Sequence, residues 1–124
     1  MAVTKHMLAY AVPADLVSSW SGLASKSGLQ VQVKSDTYVI VPPGVPNTES
    51  IRCRSGVISR GNALIKVCPS AGAHPKSKSS VAGKLLILVF FSAEGRQGRL
   101  STCDSELAHE FGDLLIAAGA TLVP

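Results

Sequence analysis

The chain has 124 residues, 46% of them hydrophobic and 16% charged, with a formal net charge of +4 at pH 7. That length suffices for one domain with its own core, without metal or disulfide staples, and the apolar content excludes a disordered chain. A spanning helix is not expected: the longest strongly apolar run, Leu85 to Phe91, is seven residues, far below the ~20 such a helix needs.

Residues 3–12 read as an apolar-rich strand. The run Met7 to Val12 is too short for a signal peptide, and Pro13-Ala14-Asp15 offers no convincing cleavage site. Pro13 favours a turn or a first helical position. Leu16, Trp20, Leu23 and Ala24 then recur at the spacing of one helix face, so 14–27 is predicted helical, with Gly28 as the residue that ends it. Gly22 inside that helix costs about 1 kcal/mol relative to alanine.

Leu29, Val31 and Val33 alternate with Gln30, Gln32 and Lys34, the signature of a half-buried strand. A turn at Ser35-Asp36 predicts a hairpin with Thr37 to Val41. Pro42 to Asn47 is a loop by composition. A second hairpin is expected from 51–59 and 62–68 around Arg60-Gly61-Asn62. Serine, glycine, proline and lysine dominate 69–84, which predicts a mobile basic loop. Leu85 to Ser92 is apolar throughout and predicts a central strand covered on both sides.

After the turn Gly95 to Gly98, Ser101 or Thr102 can cap a helix to about Ala118, with Leu107, Phe111, Leu114, Leu115 and Ala118 inward. Gly119 ends it, and 120–123 can add a short strand. The expected class is α+β: a mostly antiparallel sheet of five to six strands with two helices on one face, in a single domain spanning 1–124. A ferredoxin-like core elaborated by a hairpin satisfies that order.

Charge is unevenly distributed. From Ser50 to Ala93 stand seven bases (Arg52, Arg54, Arg60, Lys66, Lys76, Lys78 and Lys84) and no acid. From Ser101 onward stand four acids (Asp104, Glu106, Glu110 and Asp113) and no base. Bases clustered on strands and a loop form the footprint a phosphate backbone or acidic partner uses. Arg52 and Arg54 share a strand face opposite Ile51 and Cys53, so both are expected in solvent. The competing reading is a solvated face that discourages edge pairing. Aromatics make up only 5% of the chain, so stacking platforms for single strands are few. Asp104 and Glu106 favour the helix dipole in the first turn. An acidic helix can also dock on the basic face of a second copy.

Chemistry is sparse. Cys103 lies near a helix start, where a thiol pKa falls, but no nucleophile signature surrounds it. Cys53, Cys68 and Cys103 are odd in number and widely spaced, which points to reduced thiols in a cytoplasmic protein. Glu106 and His109 have the i, i+3 spacing of carboxylate-bridged metal sites but lack partner helices. No metal or cofactor is expected. Arg96 and Arg99 with Ser101 and Thr102 form a turn that can meet an anion, against the opposing acids at 104 and 106.

Three functions follow in order. The first is a non-enzymatic domain engaging a polyanion, nucleic acid above all, through Arg52, Arg54, Arg60, Lys76, Lys78, Arg96 and Arg99. The second is a self-associating or adaptor subunit working through the Leu85–Phe91 strand and the acidic helix. The third is an enzyme dependent on Cys103.

Overall fold

A computed structural model describes residues 5–41, 50–71, 84–92 and 102–123. In chain order the elements are β1 (Lys5–Val12), α1 (Ala14–Lys26), β2 (Gln30–Val33), β3 (Tyr38–Ile40) and β4 (Ile51–Cys53). There follow β5 (Gly56–Arg60), β6 (Ala63–Ala71), β7 (Leu85–Ser92), α2 (Thr102–Ala117) and β8 (Thr121–Leu122). Six strands form one sheet in the order β2-β5-β6-β7-β1-β8, and β3 with β4 makes a separate two-strand ribbon. All described pairings are antiparallel. The class is therefore α+β.

Each helix joins strands that are not neighbours. β1-α1-β2 spans the three strands between its ends, and β7-α2-β8 spans β1. With β5 and β6 left aside, the remaining strands of the sheet stand in the order β8-β1-β7-β2.

Period-two alternation supplies the core face of the sheet. Tyr10 lies across from Ile87, Val67 across from Val89, and Ile58 across from Ile65, all buried. Against them pack Leu16, Val17, Trp20 and Ala24 of α1 and Leu107, Phe111 and Leu115 of α2. The Trp20 and Phe111 rings meet edge-on at 6.2 Å, so both helices cover the same face. β7 is central, between β6 and β1, and Leu86 on the face turned away from the helices is also buried.

Four expectations change. First, Tyr38 to Ile40 pairs with β4, whereas β2 pairs with β5. Alternation marks a strand but does not name its partner. Second, the strand expected over 51–59 breaks at Arg54-Ser55 into β4 and β5, which belong to different sheets. At the break Trp20 Nε1, 34 residues away in sequence, donates to the Arg54 carbonyl at 3.1 Å, taking it for α1 rather than for a ladder. Gly56 lets the chain pass there. A Cβ would lie 2.7 Å from the Gln32 carbonyl oxygen and 2.9 Å from Trp20 Cη2.

Third, β6 runs on to Ala71, paired with β7, so 69–71 are strand where a loop was expected; 72–83 lie outside the described residues. Proline is tolerated in this interior strand because β5 ends its pairing at Val67. The Pro69 carbonyl accepts instead from the Tyr38 hydroxyl at 2.6 Å. Carbonyl and amide of one strand residue point to the same side, so the absent N–H falls where no strand needs it. Fourth, Ala118 is exposed just past α2, and Ala108 and Gly112 are buried instead. Gly28 and Gly119 follow their helices with φ of 85° and 110°, as expected. Among the described residues no helix is long and apolar enough to cross a membrane.

Candidate anion-binding cleft

The break between β4 and β5 positions the two adjacent arginines. Cys53 is buried, so Arg52 and Arg54 on either side of it turn outward, and both are exposed. The Trp20 hydrogen bond pins the backbone of Arg54, and the Lys34 amide donates to the Ser55 carbonyl at 2.9 Å. These bonds hold the strand against α1 on one side and the end of β2 on the other.

Between them lies a shallow cleft of about 360 Å³ lined by Ser18, Trp20, Ser21, Val33, Thr37, Arg52, Cys53 and Arg54. Ser18 and Ser21 are one helical turn apart on α1, away from its buried stripe. Two arginines, two serines and a threonine thus line one concavity. No carboxylate pairs with Arg52 or Arg54 among the described residues. Asp15, one turn before Ser18, and Asp36, next to Thr37, are exposed carboxylates close by in sequence. The arrangement can bind an anion, but it holds no described group suited to general acid–base work.

The other bases named from the sequence fare differently. Arg60 is in an ion pair with Glu110 of α2, and both are about half exposed. Lys66, exposed on β6, alternates away from the core and the helices. Lys76, Lys78, Arg96 and Arg99 lie outside the described residues. The acidic helix is partly spent inside the chain. Asp104 accepts from the Leu64 amide at 2.9 Å, near the end of the β6–β7 pairing, and Glu110 holds Arg60. Glu106 and Asp113 are exposed.

Beneath the cleft, Tyr38 lies across from Cys53, and its hydroxyl meets Ser55 Oγ at 3.2 Å and Cys68 Sγ at 3.8 Å. Burial pushes the Tyr38 phenol and the Cys53 thiol up from their ordinary values. Burial in the core thus favours the neutral Cys53 thiol. Cys103 falls in the first turn of α2, but its side chain lies outside the described residues. His6 stacks on Phe91 at 5.5 Å, and His109 tilts against the same ring at 6.3 Å. No three His, Cys, Asp or Glu side chains gather as metal ligands among the described residues.

Sequence reasoning found the Arg52–Arg54 pair through its i, i+2 spacing. It missed Ser18, Ser21 and Thr37, which join the cleft from α1 and the β2–β3 connection, and no local pattern marks them. No family model matches the sequence, nor does any curated protein or solved structure.

Proposed function

We propose that this protein is a non-enzymatic binding domain that engages a polyanion, nucleic acid above all, through the Arg52–Arg54 cleft. The observation that carries this reading is the pair of exposed arginines, free of ion pairs with described carboxylates, in a cleft also lined by Ser18, Ser21 and Thr37. Guanidinium forks and hydroxyl donors are the groups that bind phosphate oxygens. The acid-free stretch from Ser50 to Ala93 supports it by leaving a long segment without a repelling charge.

Binding of labelled DNA and RNA oligonucleotides, titrated from low to physiological salt, tests the proposal. Affinity should fall steeply as salt rises, because phosphate contacts release counterions. The Arg52→Glu/Arg54→Glu variant should lose that binding while keeping its thermal transition. Absence of binding at low salt, or wild-type affinity in the double variant, would remove the cleft from consideration.

A further inference from the structure

We propose that the outer face of the β3–β4 ribbon reads B-form duplex DNA from its major groove, while the cleft beside it holds one phosphate strand. This inference rests on the polyanion reading and names the polyanion. Its starting point is a pair of valines for which a phosphate site has no use. Val39 is 56% exposed and Val41 is 53% exposed. Val39 lies across from Arg52 on the outer side of the ribbon, and Val41 follows directly after the last residue of β3. The inner face of the ribbon carries Tyr38, Ile40, Ile51 and Cys53, all packed on the core. One face is anchored and the other is bare.

The composition of the bare face selects among polyanions. Heparin or polyphosphate presents charge and nothing apolar for the valines to meet. A DNA major groove presents both partners: thymine shows its C5-methyl, and guanine shows O6 and N7 to an arginine fork. The shape agrees, since strands ~4.8 Å apart form a ribbon that fits a groove about 12 Å wide. Duplex RNA is disfavoured because its major groove is deep and narrow and side chains cannot read it. Single strands call for exposed aromatic platforms, and here Trp20 is buried and Tyr38 is half-buried. Asp36, just before Thr37 and β3, and Asp15, one turn before Ser18, are the exposed carboxylates close by in sequence that oppose a phosphate here.

The test uses the full chain at fixed, moderate salt against a mixed-sequence DNA duplex. It adds the same duplex with deoxyuridine at every thymine, an RNA duplex of the same sequence, and heparin. The DNA duplex should bind tightest. Removing the thymine methyls should weaken it about fourfold, the effect of one methyl-sized apolar contact. Val39→Ser/Val41→Ser should erase the difference between thymine and deoxyuridine and leave heparin affinity unchanged.

Equal binding of thymine and deoxyuridine duplexes by the unmodified chain, or of DNA and RNA duplexes, overturns the ribbon proposal. The cleft reading then stands only if Arg52→Glu/Arg54→Glu abolishes that binding. Binding of none of the probes at low salt overturns both. The deoxyuridine exchange alters only the DNA, so its outcome decides the matter even where the valine variant fails to fold.

Discussion

Trp20 links the core to the cleft: its ring is buried against Phe111, and its Nε1 is the donor that holds Arg54 in place. Trp20→Phe keeps most of the packing and leaves a carbonyl without its partner. A cost of about 1–3 kcal/mol in urea unfolding is expected, together with weaker binding at the cleft. A variant as stable as the parent would show that the bond contributes nothing. The chain's two tyrosines are Tyr10 and Tyr38. Both phenols lie above their ordinary value of 10.0, Tyr10 through burial and then Asp113, Tyr38 mainly through burial. A raised folded-state pKa contributes stability that is fully present below the unfolded value and is lost as pH climbs past it. Unfolding free energy should therefore drop as pH rises above about 10, and phenolate absorbance should appear with unfolding rather than before it. Phenolate signal from both tyrosines in a still-folded protein at that pH would contradict the upward shift of the two phenols.

At the scale of elements, helices and the central strand were legible because their signals are local. The stripe Leu16, Trp20 and Ala24, and the apolar run of β7, depend on nothing outside their own segments. Partnership was not legible. β3 leaves β2 because the Tyr38 hydroxyl finds the Pro69 carbonyl and Ile40 finds the core, both contacts distant in sequence. Two helical glycines should likewise respond oppositely to alanine. At Gly22 a Cβ meets nothing within 4 Å, so Gly22→Ala should stabilise by about 0.5–1 kcal/mol. At Gly112 a Cβ would collide with the Tyr10 hydroxyl, so Gly112→Ala should destabilise by about 1–3 kcal/mol through overpacking. Thermal melts of the two variants shifting in the same direction would refute the close approach of α2 to β1.

For the whole molecule, the sequence shows a basic middle and an acidic end, and the fold joins the two where Arg60 meets Glu110. That pair is exposed and contributes little to stability, but it occupies one of the bases counted toward the patch. The exposure of Arg52 and Arg54 was legible from their alternation with Ile51 and Cys53, whereas the Arg60–Glu110 ion pair was not. The partner of Arg60 sits fifty residues away on the second helix. The most direct measurement is the salt dependence of duplex DNA binding for Arg52→Gln, Arg54→Gln and Arg60→Gln beside the parent chain. Each of the first two should flatten the slope of log K against log salt by about 0.9, because one fewer phosphate is neutralised, and Arg60→Gln should leave it unchanged. Equal flattening by all three would return the site to a diffuse basic surface and contradict the cleft.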